Sequence, residues 1–389
     1  MQEQGYLIVD GVLDSNQCRQ VTLAIYHRIV ETVFTQRGFK VDPKSLDTIR
    51  MLTDPALRAQ LMGQDKDRAV FRHGLSRQPL VSKSTGMNDN HYIPEVLEHI
   101  AFNPKLYQVA SHLYGQKELA FMAGIDRFCF KAPGSTQMSK HIDWCPFDQS
   151  GRNYPRRYQC LVTTSISRSV PPEKTGTLCL LLNFHHYTEL ARRIFYPRGG
   201  LVPFPDDNAS WSRFFILPKN FDSHYLPALI EHAQAYGDYL HRGLIPADPR
   251  MAKIYAKLKS FGLSVPETYR PIGWQAISLR PGQAIFWDQR VPHYSAANKS
   301  EKVRACCYYS VFPIDQAWDQ SSGRSWLRDQ IRELRFSYDT EANIRTTKVR
   351  NPEELEYFKT HPEVAERTHQ ILGADEWRRK LTGVESWWG

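Results

Sequence analysis

The stretch RPGQAIFWDQRVPHYSAANKSEKVRACCYYSVFP, residues 280–313, decides the fold, because it reads as consecutive short strands separated by turns. AIFWD (284–288) and VRACCYYSVFP (303–313) are rich in aromatic and β-branched residues, and Pro-Gly and Val-Pro turns punctuate them. His293 follows the Val-Pro turn, and Arg304 lies eleven residues further on, inside the second run. We predict antiparallel strands joined by a polar connection, which would bring His293 and Arg304 into one cavity.

Further strand-like runs occur upstream, interrupted by segments with helical periodicity. The predicted strands are 118–132, 158–167, 176–184 and 274–279, and the predicted helices are 15–36, 94–115, 225–241 and 248–261. Many short strands bracketed by Gly/Pro turns are typical of a jelly-roll. The sequence therefore predicts a mainly β core with flanking helices, in the form of a double-stranded β-helix of the cupin-like jelly-roll type.

Helical segments are added to this core at three places. We expect residues 1–313 to form one domain, in which a helical part (1–117) precedes the jelly-roll core (118–313). A helical insert at about 190–270 interrupts the core, and residues 314–389 form a helical C-terminal extension packed on it.

Composition indicates a globular protein of the cell interior. Of the 389 residues, 41% are hydrophobic, and no apolar run approaches the roughly 20 residues that span a bilayer. The N-terminus lacks the basic start and apolar stretch of a secretory signal, so we expect a cytoplasmic protein. The seven cysteines contain no C-x-x-C pair, which argues against a disulfide framework or a zinc site.

The net charge of +9 favours acidic partners. The basic residues are dispersed in short groups, as on solvated helix faces, rather than gathered in one nucleic-acid-binding stripe. The charge therefore favours a small anionic substrate over nucleic acid.

His141-Ile142-Asp143 is the first candidate for metal binding. On a strand, residues i and i+2 point to the same side, so an imidazole and a carboxylate share one face. They would supply two-thirds of a 2-His-1-carboxylate site for iron(II). With fourteen histidines, about one H-x-D is expected by chance, and His361-Pro362-Glu363 looks similar but reads as a helix start.

The conjunction of this motif with His293 and Arg304 is more specific than any member alone. Arg suits the blind end of a cavity for a dicarboxylic co-substrate, because its planar fork grips a carboxylate and stays charged when buried. Ser295, two residues beyond His293, would face the same side and add a hydrogen bond.

The chain resembles the phytanoyl-CoA dioxygenase family of 2-oxoglutarate oxygenases. The resemblance rests on GYLIVDGVLD, PEVLEHIAFNPKLYQVASHLYG, FCFKAPGSTQMSKHIDW, PPEKTGTLCLLLNFHH and RPGQAIFWDQRVPHYSAANKSEKVR. It covers about residues 5–36, 94–190 and 272–313. The chain departs from the family pattern at Lys174-Thr175-Gly176, at Asn183-Phe-His-His, and in the insert and the tail.

This resemblance implies a site and a reaction. His141, Asp143 and His293 are the implied iron(II) ligands, and Arg304 and Ser295 the implied contacts to 2-oxoglutarate. Oxygen is the implied second co-substrate, with ascorbate as an accessory reductant. Family members that halogenate lack the carboxylate of the H-x-D, so its presence favours hydroxylation of an unactivated C–H bond with release of succinate and CO2.

Two alternatives remain open at this stage. One is the same chemistry on a nucleic acid or protein, and the other is an inactive jelly-roll that serves as an interaction module. Four residues could face a substrate, although each also reads as ordinary core or rim: Trp144, Phe147, Arg290 and Tyr308.

Overall fold

The computed structural model describes most of the chain with gaps. The described residues are 1, 3–29, 87–88, 92–121, 127–131, 133–142, 158–195, 215–334 and 357–389. Parts of several sequence predictions lie outside them: the end of the first helix, the middle of the run 118–132, residues 196–214 of the insert and residues 335–356 of the C-terminal extension.

Short strands make up the central part of the chain. They are β1 Tyr6–Val9, β2 Met87–Asn88, β3 Leu119–Phe121, β4 Phe128–Lys131, β5 His141–Ile142, β6 Tyr158–Ser165, β7 Leu178–Leu182, β8 Phe215–Ile216, β9 Gly273–Ala276, β10 Ala284–Asp288, β11 His293–Ser295, β12 Arg304–Tyr309 and β13 Val311–Pro313.

The main helices lie before, within and after this strand region. They are α1 Ser15–Ile29, α2 Pro94–Val96 (continued by a π-helical turn, Leu97–Ala101), α3 Pro104–Tyr114, α4 Thr188–Ile194, α5 Leu226–Gly237, α6 Pro249–Ser260, α7 Gln316–Asp319, α8 Ser322–Arg332, α9 Pro362–Gly373 and α10 Glu376–Leu381. None of the helices within the described ranges is long and apolar enough to cross a membrane.

Two antiparallel sheets form the core. One has the strand order β1-β10-β6-β12-β4-β2 and the other the order β8-β5-β11-β7-β9. Side chains from both sheets, including Leu178, Leu180, Ile285 and Trp287, form one buried apolar cluster between them. This sheet-on-sheet arrangement with crossing connections confirms the predicted jelly-roll fold.

Side chains of β12 alternate between the face that points to the opposite sheet and the face that points to the helices. Cys306 belongs to the cluster between the sheets, whereas Cys307 and Tyr309 belong to a second cluster formed with the helices. Because neighbouring strand residues point to opposite faces, Arg304 and Tyr308 lie on the inner face with Cys306.

The N-terminal and C-terminal helices cover the outer face of the six-stranded sheet. Val21 of α1, Leu106 of α3, Ile331 of α8 and Leu381 of α10 share one buried cluster with that face. Asn103 caps α3 by accepting from two backbone amides, and Gly115 ends it in the left-handed region at φ 73°. The helix pair at 94–115 is confirmed.

The helical insert covers the outer face of the other sheet. Helices α4, α5 and α6 form a third apolar cluster, into which Ile142 of β5 and Leu181 of β7 project. The two helices predicted within the insert are confirmed as α5 and α6.

Two details of the predicted strand pattern are wrong. β11 and β12 do not pair with each other but lie in opposite sheets, because the chain crosses between sheets after Ser295. The run 303–313 is also divided, since β13 leaves the six-stranded sheet and pairs with β3 alone.

Candidate metal and co-substrate site

His141 and His293 lie side by side on the inner face of the five-stranded sheet. They are directly opposite partners of β5 and β11, and their ring centroids are 4.3 Å apart. Both side chains are buried. His141 and His293 are 152 residues apart in the sequence (293 − 141), and the pairing of β5 with β11 brings them together.

Backbone contacts fix the orientation of both histidine rings. Nδ1 of His141 lies 2.7 Å from the carbonyl oxygen of Ser139, and Nδ1 of His293 lies 3.0 Å from that of Val291. A carbonyl only accepts, so Nδ1 donates in both rings and Nε2 carries the lone pair. This is the tautomer in which a histidine can coordinate a metal through Nε2.

The third predicted ligand, Asp143, lies outside the described residues, as do Trp144 and Phe147. Within the described ranges, no group of three His, Cys, Asp or Glu side chains gathers as a metal site. The described part of the candidate metal site is therefore the histidine pair.

Trp287 packs beside this pair. Its ring meets that of His293 in an edge-to-face contact at 5.4 Å. Its Nε1 is buried and has no hydrogen-bond partner among the residues that the structure describes. A tryptophan in an apolar wall normally finds a partner for this donor, so Trp287 presents an unused N–H beside the histidines.

A pair of buried cations occupies the inner face of the opposite sheet. Arg304 and Lys131 are directly opposite partners of β12 and β4, and their exposed fractions are 1% and 0%. Lys131 donates through Nζ to the backbone oxygen of Ala296 at 2.5 Å. Arg304 donates through Nη1 to Sγ of Cys129 at 3.1 Å, while its Nε has no hydrogen-bond partner within the described part of the chain.

No ion pair joins either of these cations to a carboxylate in the part of the chain that the structure describes. Burial lowers the pKa of Lys131 to about 8, and the neighbouring Arg304 adds to this effect. Burial also acts to lower the pKa of Arg304, but Cys306 and Cys129 outweigh it and the pKa rises above its ordinary value. Two buried positive charges without a carboxylate favour an anionic ligand.

Ser295 connects the two halves of the site. It is buried on β11 two residues beyond His293, on the same inner face, because its strand partner Leu178 belongs to the cluster between the sheets. Its backbone oxygen lies 3.4 Å from Nζ of Lys131. The structure thus brings together His141, His293, Ser295 and Arg304.

The remaining substrate-facing candidates have different surroundings. Arg290 forks onto the fully buried Asp288, with distances of 2.9 Å from Nε to Oδ1 and 2.6 Å from Nη2 to Oδ2. This pairing accounts for Arg290 as a structural residue. Tyr308 lies on the inner face, with the Arg127 guanidinium carbon 5.3 Å from its ring centroid.

Sequence reasoning missed three residues of this site: Lys131, Cys129 and Trp287. The sequence signal was the strand-like run FCFK, in which alternation places Cys129 and Lys131 on one face. In the structure, all four residues are buried. A lysine that closes such a strand is unusual, because lysine is almost never fully buried without a partner.

The fold and the site define a class of protein: a jelly-roll with a buried histidine pair on one inner face and a buried cation pair on the other. A family model described as "Phytanoyl-CoA dioxygenase (PhyH)" matches residues 232–306, which include His293, Ser295 and Arg304. The match spans well under half of the chain. It confirms that the chain is phytanoyl-CoA dioxygenase-like there, in agreement with the expected class of iron(II)/2-oxoglutarate-dependent dioxygenase. No curated protein matches the chain.

Several solved structures resemble the model at low sequence identity. The epimerase SnoN in complex with Fe3+, alpha ketoglutarate and nogalamycin RO is 14% identical, with a TM-score of 0.38, over 83% of this chain and 87% of that one. EctD from S. alaskensis with 2-oxoglutarate and 5-hydroxyectoine is 14% identical, with a TM-score of 0.38, over 80% and 73%. A putative oxidoreductase from Salmonella typhimurium LT2 is 12% identical, with a TM-score of 0.47, over 85% and 72%. Because these TM-scores are below 0.5, the fold is assigned from the sheet order of this chain and not from these similarities.

Proposed function

We propose that this protein is an iron(II)/2-oxoglutarate-dependent dioxygenase that hydroxylates an unactivated C–H bond of a small-molecule substrate of acyl or anionic type. The reaction consumes O2 and 2-oxoglutarate and releases succinate and CO2. The observation that carries the proposal is the buried Arg304–Lys131 pair facing a sheet that holds two metal-competent histidines.

The described residues fit an iron(II) centre. His141 and His293 would bind it through Nε2, with Asp143 as the carboxylate ligand, and three positions would stay open. The Nδ1 hydrogen bonds to Ser139 and Val291 fix the orientation of both rings, as outer partners of metal-bound histidines do. Bound iron(II) supplies the oxygen chemistry, and the protein supplies its position and surroundings.

The opposite face fits a dicarboxylic co-substrate. Arg304 and Lys131 would hold the remote carboxylate, with the Ser295 hydroxyl as a further donor from the same face as His293. The unpartnered Nε of Arg304 is a buried donor that such a carboxylate would satisfy. Charge-assisted bonds of this kind are about twice as strong as neutral ones.

The apolar cluster between the sheets keeps water away from this site. Leu178, Leu180 and Ile285 fill the space around the polar residues, and all are buried. In such surroundings, electrostatic interactions with the co-substrate are stronger than in water. The protein thereby orients the co-substrate and excludes bulk solvent from the reacting centre.

The test is succinate release by purified protein with iron(II), ascorbate and 2-oxoglutarate, together with calorimetric binding of 2-oxoglutarate in the presence of Mn(II). Slow uncoupled turnover is expected, and His141→Ala and Arg304→Ala should abolish it. His361→Ala is the matched control, because His361 belongs to the similar-looking His-Pro-Glu and begins α9. Metal binding without any affinity for 2-oxoglutarate would contradict the proposal. A folded protein that binds no metal would favour the interaction module.

A further inference from the structure

Cys129 and Cys306 face each other inside the barrel. They are directly opposite partners of β4 and β12, and both are fully buried. The amide of Tyr308, two residues beyond Cys306, donates to Arg127, two residues before Cys129. Since hydrogen-bonded pairs recur every second residue, the two cysteines form such a pair, with Cα atoms about 5.5 Å apart. This separation lies within the range that disulfides bridge.

The two thiols are not equivalent. The hydrogen bond from Cys306 lowers the pKa of Cys129 to about 6, against the effect of burial, and Arg304 and Lys131 contribute in the same direction. Burial raises the pKa of Cys306 well above its ordinary value. Cys129 therefore has thiolate character, and Cys306 is a protonated thiol next to it.

The other cysteines nearby lie in different surroundings. Cys160 of β6 and Cys307 of β12 project into the cluster under the helices, on the outer face of the sheet. For Cys160, burial raises the pKa well above its ordinary value. The chain thus contains buried cysteines that can serve as internal controls for the inner pair.

We propose that Cys129 and Cys306 are an oxidisable dithiol that hydrogen peroxide converts to a disulfide. The Cys129 thiolate attacks one oxygen of hydrogen peroxide, breaking the O–O bond and giving a sulfenic acid and hydroxide, which takes a proton to become water. Sγ of Cys306 then attacks that sulfur as its proton leaves, forming the S–S bond and releasing a second water. The two thiols lose two electrons, and peroxide is reduced to two waters.

Disulfide formation would alter the site next to it. Arg304 would lose the anionic acceptor of its Nη1, and the pair must draw together, because hydrogen-bonded strand pairs hold their side chains wider apart than a disulfide does. Arg304 lies two residues from Cys306 on the same strand face. This consequence rests on the proposed function of Arg304, and it predicts weaker binding of 2-oxoglutarate by the oxidised protein.

The experiment exposes the reduced full-length protein to hydrogen peroxide and follows intact mass and peptide linkage. The expected product has lost two hydrogen atoms, contains a Cys129–Cys306 linkage, and returns to the starting mass with dithiothreitol. Cys306→Ser should stop at a sulfenic acid on Cys129 that a dimedone probe captures, whereas Cys129→Ser should give neither product. Cys160→Ser should behave as the wild-type protein.

The wild-type measurement decides the inference even if a variant does not fold. No linkage, or one that involves Cys160 or Cys307, overturns it. Addition of 2-oxoglutarate and Mn(II) should slow the oxidation. If the linkage forms while 2-oxoglutarate neither binds nor protects, the dithiol stands and the proposed function fails. If 2-oxoglutarate binds and no linkage forms, the proposed function stands and the dithiol proposal fails.

Discussion

The inner faces of the two sheets bury opposite kinds of chemistry. The five-stranded sheet presents two imidazoles whose Nδ1 atoms contact backbone carbonyls, an arrangement that suits binding of a cation through Nε2. The six-stranded sheet presents Arg304 and Lys131 with a thiol between strands, an arrangement that suits an anion. The histidine pair and the cation pair thus lie on different sheets, so we expect substitutions in one pair to leave the ligand proposed for the other largely unaffected.

The largest effect is expected from His293→Ala on the five-stranded sheet. Removing one of two described imidazole ligands should abolish tight metal binding, measured by calorimetry with Mn(II). The inner face of the other sheet is untouched, so the far-ultraviolet circular dichroism should stay that of the folded protein. Unchanged Mn(II) affinity would remove this sheet from the metal site.

The next effect is expected from Arg304→Met on the six-stranded sheet. The loss of a buried charge-assisted contact should weaken 2-oxoglutarate binding by about 2–5 kcal/mol, while Mn(II) affinity is retained. Arg367→Met is the matched control, because Arg367 forms an exposed pair with Glu95. If both ligands lose affinity together, the two faces are not separable.

Lys131→Met should give a smaller loss of 2-oxoglutarate affinity and a changed pH profile. The pKa of Lys131 is about 8, so its charge is present below that pH and is lost above it. Wild-type affinity should therefore fall as pH rises through about 8, and the variant should lack this step. Lys299→Met, at a surface position, should keep the wild-type profile.

Without ligand, the same variant should be more stable than the wild-type protein below pH 8. The folded-state pKa of Lys131 lies below its unfolded value, so the folded state binds this proton less tightly and gains stability as pH rises from about 8 towards 10.5. Replacing the buried ammonium removes that cost at neutral pH. A lower melting temperature for Lys131→Met at pH 7 would contradict this explanation.

The smallest effect is expected from Trp287→Phe, which keeps the aromatic wall beside His293 and removes the unpartnered Nε1–H. Stability should fall only by the cost of the smaller ring, about 1 kcal/mol, because no hydrogen bond to a described residue is lost. Trp274→Phe is the matched control, since Nε1 of Trp274 donates to Asp222 at 2.8 Å. That control should be the less stable of the two variants.

The sequence predicted the fold, and the approach of His293 to His141 agrees with the predicted metal site, whose assignment stays a prediction. The alternation in AIFWD and the spacing from His293 to Arg304 are local patterns, and the jelly-roll places both residues inward. The reading of His361-Pro362 as a helix start is also confirmed, because Pro362 begins α9. The assignment of Asp143 stays a prediction.

Other features depend on contacts that sequence spacing does not encode. Lys131 and Cys129 belong to the site because β4 pairs with β12, more than 170 residues later in the chain. The placement of β11 and β12 in opposite sheets follows from the crossing of the chain between layers, which a local hairpin pattern does not distinguish.

The position of the helical insert limits how far this protein can be treated as modular. The described part of β5 is His141 and Ile142, and Ile142 packs among the apolar side chains of the insert on the outer side of the sheet. The helical insert therefore supports the strand that carries His141. An insert grafted from another jelly-roll would need apolar side chains that pack on Ile142 in the same way. Without them, we expect the position of His141 to change before any new substrate preference is observed.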